Sequence, residues 1–183
     1  MLVFLVGFMG AGKSTLGKKL AIKLSLPFVD LDKEVAQQYN FQSVASLIDQ
    51  KGMAYFRQIE KEVLQAMGNR DAVVSTGGGT PCFFDNIDWM LRKGEVVYLK
   101  VEEGVLFSRL KASDVNSRPL LRGMSDDELK MFIHETMQER TPYYNRAHIV
   151  FNPIIQKVEE LTDILDTHKE NKKAHTDSDV KLP

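Results

Sequence analysis

A three-layer, doubly wound α/β fold around a five-stranded parallel sheet is what this sequence predicts. Three observations lead there. Five short apolar runs alternate with longer segments of helical period. The first run, Leu2–Val6, is apolar at every position, as in a strand buried on both faces. A glycine-rich stretch of phosphate-loop pattern then joins that run to the first helical segment.

The composition agrees. The chain has 183 residues, 27% charged and 43% hydrophobic, with a formal net charge of −1. That length suggests one domain with a core of its own. The charge argues against a nucleic-acid binder, which usually carries a basic excess. One cysteine excludes an internal disulfide framework and fits a cytoplasmic protein. No apolar run approaches the ~18 residues of a membrane span. The apolar start lacks the basic flank of a signal peptide.

Taken in order, residues 13–26 carry Leu16, Leu20 and Leu24 at spacing four, a helix that Pro27 closes. Residues 28–32 form a second strand ending in carboxylates. Residues 33–68 read as helical, with Phe56, Ile59, Val63, Leu64 and Met67 in one stripe and Gly68 as the stop. A third strand, 72–76, ends at three glycines. A short helix at 85–93 precedes the fourth strand, 95–100, and another helix covers 102–111. Residues 112–124 lose the period and read as a loop. Ser125 and Glu128 form a capping box that opens a helix with Leu129, Phe132, Ile133 and Met137 inward. The fifth strand is 147–151, and Ile155, Val158, Leu161 and Leu165 mark the last helix. Beyond His168 the chain is polar and aperiodic. The expected division is one domain over 1–167 and a disordered tail over 168–183.

Gly7-Phe-Met-Gly-Ala-Gly-Lys-Ser14 satisfies G-x-x-x-x-G-K-[S/T] at every fixed position, between a strand and a helix as the mechanism requires. Its glycines let successive N–H groups turn inward on phosphate oxygens, and the helix adds its positive end. Gly10, Ala11, Gly12, Lys13, Ser14 and Thr15 are therefore the expected nucleotide-binding residues. Lys13 reaches the β- and γ-phosphates, and Ser14 can ligate Mg²⁺. A GTPase would carry N-K-x-D. The one Asn-Lys pair, Asn171-Lys172, continues Lys173-Ala174, so a small-molecule kinase is favoured.

Asp30 and Asp32 stand at the carboxyl edge of the sheet, where ligands of open α/β folds bind. Asp32 is assigned to the acceptor hydroxyl and Asp30 to the Mg²⁺ shell through water; the alternative is a helix N-cap. Arg57 and Glu60, one turn apart, are either a surface pair or an arginine held by Glu60 and aimed at a substrate carboxylate. Gly77-Gly-Gly79 is either a flexible turn or a place where a ligand approaches bare backbone. Arg118 and Arg122 lie in the 112–124 loop, which is either a plain surface loop or a lid that brings a cation to the transferring phosphate. Cys82 reads as a small buried hydrophobe, and the four histidines show no metal-ligand spacing.

Together the phosphate loop, Asp-x-Asp, Phe-Arg-x-x-Glu and Gly-Gly-Gly, followed by Arg118-Pro-Leu-Leu121, Arg140-Thr-Pro-Tyr-Tyr144 and Asn152-Pro153, closely resemble the shikimate kinase family. The resemblance runs from residue 2 to about residue 165 and implies a nucleoside-monophosphate-kinase-like fold. It also implies ATP-dependent phosphorylation of the shikimate 3-hydroxyl, with shikimate and ATP as small-molecule partners. A monomer is expected because no long apolar stripe is left unassigned. By the same resemblance Lys13, Asp32 and Arg118 are catalytic, and Asp32, Arg57, Gly78, Gly79 and Arg140 contact shikimate. Residues 33–61 become the acceptor-binding region, Arg118 in the lid meets the nucleotide, and Asn152-Pro153 lies beside adenine. Where the family often stacks an arginine on adenine, this chain has Lys111, with Arg109 nearby. The remaining alternatives are another P-loop kinase, such as a gluconate kinase, or a nucleotide-binding regulator without catalysis.

Overall fold

The computed structural model describes residues 1–113, 121 and 123–179, the stretch 172–179 by its backbone. Five parallel strands run β1 (Leu2–Val6), β2 (Phe28–Asp30), β3 (Ala72–Ser75), β4 (Glu95–Leu99) and β5 (Ile149–Phe151), in the spatial order β2-β3-β1-β4-β5. β1 pairs with β3 on one side and β4 on the other, so it is central and its five residues are all buried. The expected five-stranded parallel sheet is therefore present.

Alternation along β1 divides the core in two. Val3 and Leu5 join a cluster with Leu16, Leu20, Leu161 and Leu165. Leu2, Phe4 and Val6 face the opposite layer, against Phe56, Ile59, Val63 and Leu64. The helices behind these layers are α1 (Lys13–Leu24), α2 (Leu31–Gln38), α3 (Val44–Lys51), α4 (Met53–Ala66), α5 (Asn86–Lys93), α6 (Glu103–Ala112), α7 (Asp126–Tyr144) and α8 (Val158–Asp179). A 3-10 turn, Thr80–Cys82, follows the third strand. The capping box at Ser125 opens α7 as its spacing predicts, with Ser125 and Glu128 bonded reciprocally.

Several boundaries differ from the sequence reading, each for a local reason. The second strand stops at Asp30, whose carboxylate accepts the Lys33 N–H at 3.4 Å and turns the chain into α2. Asp32 thus sits in the first helical turn and not on a strand. The segment 33–68 is three helices, because Asn40 takes a positive φ of 58° and Ser43 starts a new capping box. α1 ends at Leu24, where Ser25 adopts a left-handed conformation, before Pro27 can act. The tail expected to be disordered continues α8 through Asp179. That helix is anchored by buried Leu161 and Leu165, so its nucleation cost is already met, and no glycine or proline interrupts residues 168–179. Arg118 and Arg122, expected in a lid, lie outside the described residues. Among the described residues no helix is long and apolar enough to cross a membrane.

Candidate functional site

All five strand ends point to one edge, and the site is built on the loops there. The phosphate loop follows β1. Gly10 and Gly12 take φ values of 82° and 95°, which an L side chain rarely adopts, and Gly12 caps α1 without a side chain. The open N-terminus of α1 therefore faces the cleft with its N–H groups available to an anion. Lys13 is buried, and its Nζ donates to the carbonyls of Gly7 and Phe8 at 2.7 and 2.9 Å, which fixes the ammonium over the loop.

The cleft beside this loop has a volume of about 590 Å³. Its walls include Gly10, Ala11, Gly12, Lys13, Ser14 and Thr15, the residues expected from the motif. Arg109 and Pro153 close the side away from β2. Arg109 Nη1 donates to the Gly10 carbonyl at 3.0 Å, whereas Lys111 is turned onto Asp126 at 2.5 Å. Of the two basic residues on α6, Arg109 is the one in the cleft. Asn152 does not line it; its Oδ1 accepts the Ile154 N–H in a local turn that places Pro153.

Three hard oxygens meet at the floor. Ser14 Oγ donates to Asp30 Oδ2 at 3.0 Å and lies 3.2 Å from Ser75 Oγ. Mg²⁺–oxygen bonds of about 2.1 Å set neighbouring octahedral ligands about 3 Å apart, so this spacing and donor type suit that ion. Ser75 is the last residue of β3, and its place at the strand end was the signal the sequence offered for it. Among the described residues no group of three or more His, Cys, Asp or Glu is placed to hold a metal, so a cation here would depend on hydroxyl and phosphate oxygens as well.

Next to the cleft lies a smaller pocket of about 240 Å³, walled by Val44, Ile48, Met53 and Phe56 on one side and Arg57, Arg140 and the three glycines on the other. Asp32, Met9, Gly77 and Gly78 line both cavities. Burial, then the neighbouring charges of Glu60 and Asp30, push the Asp32 carboxyl up to about 6, against the lowering influence of Lys13 and Arg57. Such a carboxylate is ionised at neutral pH yet far more basic than an exposed one.

Glu60 decides between the two readings of Arg57. It is fully buried, and its Oε2 accepts from Arg57 Nη1 at 2.6 Å. The Arg57 guanidinium also lies 4.8 Å from the Phe56 ring centroid and 4.3 Å from that of Phe83. This is a braced arginine and not a surface pair. Among the described residues its Nε is buried without a hydrogen-bond partner.

The glycine triplet is equally constrained. A Cβ on Gly79 would stand 2.5 Å from Arg57 Nη2, and one on Gly78 would stand 3.3 Å from the Met9 nitrogen and 3.4 Å from Arg140 Nη1. The bare backbone is what lets both arginines and the phosphate loop close together. Tyr144, fully buried and stacked on Tyr98 at 5.1 Å, donates its hydroxyl to the Gly78 carbonyl at 2.5 Å. Sequence reasoning missed Tyr144, Phe83 and Thr80 as parts of the site. Tyr144 belongs to the Arg140-Thr-Pro-Tyr-Tyr144 run already noted, and Thr80 directly follows the glycines; position was the available signal.

Comparison with known proteins agrees with this geometry. The shikimate kinase family model matches residues 9–169. A shikimate kinase from Bacteroides fragilis is 42% identical over 175 residues, covering 91% of this chain and 97% of its own. One from Phocaeicola vulgatus is 45% identical over 162 residues, 88% of this chain and 89% of its own. The crystal structure of a shikimate kinase from Bacteroides thetaiotaomicron superposes with a TM-score of 0.84 at 40% identity, covering 91% of this chain and 98% of that one. The Acinetobacter baumannii shikimate kinase solved in complex with shikimate gives 0.79 at 30% identity, covering 93% and 94%. A Sinorhizobium meliloti gluconokinase, at 15% identity and a TM-score of 0.52, shares the fold.

Proposed function

This chain belongs to the shikimate kinase family, and from that membership and the geometry we infer that Asp32 is the base on which its two substrate sites converge. The reaction is ATP-dependent phosphorylation of the shikimate 3-hydroxyl, a step of aromatic amino acid biosynthesis. The observation that carries the assignment of the base is that Asp32 lines both the nucleotide cleft and the acceptor pocket.

ATP enters the larger cleft. Its phosphates lie on the N–H groups of Gly10 to Thr15, with Lys13 against the β- and γ-oxygens, and its adenine lies between Arg109 and Pro153. Ser14 and Asp30, the latter through water, would hold Mg²⁺, which would screen the phosphate charge. The neighbouring Ser75 hydroxyl supports that shell. Shikimate occupies the smaller pocket. Its carboxylate pairs with Arg57 and Arg140, and its ring packs on the apolar wall from α3 and α4. The Gly78-Gly79 backbone and Asp32 receive its hydroxyls.

Asp32 takes the proton of the 3-hydroxyl as that oxygen bonds to the γ-phosphorus. The bond from the γ-phosphorus to the β–γ bridging oxygen breaks, and ADP leaves. Lys13 stabilises the charge that gathers on the transferring group. By family membership Arg118, which lies outside the described residues, supplies a second cation to the transferring phosphate. Both half-sites come from one chain, which suits a monomer, and a cytoplasmic location suits a reaction that consumes ATP.

A coupled assay of ADP release tests this reading. MgATP with shikimate should give steady turnover, and gluconate should give none above background. Turnover with gluconate and not with shikimate would overturn it. ATP binding without turnover of either acceptor would favour a silent nucleotide-binding regulator.

A further inference from the structure

The 3-10 turn after the glycines runs into a short strap, Phe83-Phe84-Asp85, that meets α4 at two places. Arg57 and Lys61 stand one turn apart on that helix, on one face. The Arg57 guanidinium lies 4.3 Å from the Phe83 ring centroid, and Lys61 Nζ lies 5.2 Å from that of Phe84. Lys61 Nζ also pairs with Asp85 Oδ1 at 2.8 Å. Two consecutive rings thus meet two successive cations of one helix face.

Consecutive side chains of an extended chain point to opposite sides. Phe84 departs from that pattern with a φ of 53°, a left-handed conformation uncommon for so bulky a residue. Core packing does not account for it, since Phe83 is 38% and Phe84 55% exposed. Asn86 closes the strap. Its N–H donates to the Phe83 carbonyl at 3.3 Å and its Nδ2 to the Thr80 carbonyl at 2.9 Å. Backbone strain of this kind persists where the surroundings hold it, and it gathers at functional sites. Here it sets both rings on α4, with Phe83 on Arg57.

Phe56, Glu60 and Gly79 press on Arg57 from buried positions, and the arginine side chain is only 11% exposed. Phe83 is the member of this surround that meets water. An aromatic face stacked on a guanidinium leaves the N–H donors free in its plane. An acceptor carboxylate paired with those donors is held more strongly as water is kept away. We propose that Phe83 is a positioning residue of the acceptor site, which orients and shields Arg57 and so sets the preference for an acceptor that carries a carboxylate. Phe83 lines neither cavity, so it acts through Arg57, and the inference rests on the reading of Arg57 as partner of that carboxylate.

The test compares Phe83→Ala with Phe83→Tyr, which keeps the ring, on shikimate and on a ring polyol of similar size without the carboxylate. Phe83→Ala should raise the shikimate KM roughly tenfold and leave kcat and the ATP KM within about twofold of wild type. Its preference for shikimate over the polyol in kcat/KM should fall by roughly tenfold. Phe83→Tyr should match wild type in all of these. A Phe83→Ala enzyme with the wild-type shikimate KM and preference would overturn the proposal. So would one whose KM values for shikimate and ATP rise together, the mark of a merely structural role. Should Phe83→Ala not fold, Phe83→Leu keeps an apolar side chain without the ring face. Its preference should fall by at least about threefold, and an unchanged preference there would overturn the proposal. Wild type tests the parent reading separately. A wild type without preference for shikimate would remove the role of Arg57, whereas a clear wild-type preference that Phe83→Ala shares would overturn the assignment of Phe83 alone.

Discussion

The nucleotide half of the site and the acceptor half are built by opposite means. The phosphate loop is contiguous, Gly7 to Ser14, and works mainly through backbone N–H groups and one lysine held by the loop's own carbonyls. The acceptor half draws Asp32 from α2, Arg57 and Glu60 from α4, the glycines that follow β3, and Arg140 from α7. Backbone recognition tolerates change in the surrounding side chains. A pocket of side chains from four elements depends on each buried partner keeping the others in place. Substitutions on the two sides should therefore separate cleanly in their effects on ATP and on shikimate.

The largest effect is expected at the junction. Asp32→Asn should lower kcat by about 10²–10⁴-fold and leave ATP binding near wild type. A loss under about tenfold, roughly 1.4 kcal/mol, would mean that Asp32 is not the base. On the nucleotide side, Lys13→Ala should cost about 10²–10³ in kcat with the fold retained, as circular dichroism would show. Near-normal turnover in the folded variant would remove the lysine from the chemistry.

Gly79→Ala probes the acceptor side alone. The φ of Gly79 is −92°, which alanine accepts, so the new Cβ acts only by displacing Arg57. Its shikimate KM should rise by on the order of tenfold while the ATP KM holds. Equal changes in both constants would show that the two halves are not separable.

A different readout is stability. Asp32 titrates near 6 in the folded chain against 3.8 ordinarily, so the folded state keeps its proton over a window in which the unfolded chain has released it. Stability from this group is complete below about pH 4, falls as pH rises through 6, and is flat above. Asp32→Asn should thus melt a few degrees higher than wild type above pH 6, for a difference on the order of 2–3 kcal/mol, with no difference near pH 4. A variant less stable than wild type at neutral pH would contradict the burial of an ionised carboxylate.

How much the sequence disclosed follows the same division. Contiguous features were readable: the five apolar strands, the phosphate loop and the Ser125 capping box each carry their whole signal within a few residues. The break of 33–68 into three helices was hidden, because it depends on a left-handed Asn40 and a serine capping box inside an otherwise helical pattern. Asp30 and Asp32 were identified as a pair with a helix N-cap as the alternative, and Asp30 does cap α2; that the cap leaves Asp32 inside the helix was not foreseen. Glu60 was visible beside Arg57 by spacing. The contacts from Thr80, Phe83 and Tyr144 were not, since they join residues 20 to 66 positions apart. The continuation of α8 past His168 reflects anchoring by Leu161 and Leu165, which local composition does not record.

The most direct test of the acceptor half compares wild type and Arg57→Ala on shikimate and on a ring polyol of similar size without the carboxylate, at saturating MgATP. Leaving the braced Arg57 without its anion should cost about 2–5 kcal/mol, so wild type should favour shikimate by roughly 30-fold to several thousand-fold in kcat/KM. Arg57→Ala should lose most of that preference. Equal use of the two acceptors by wild type, or an undiminished preference in Arg57→Ala, would contradict the account.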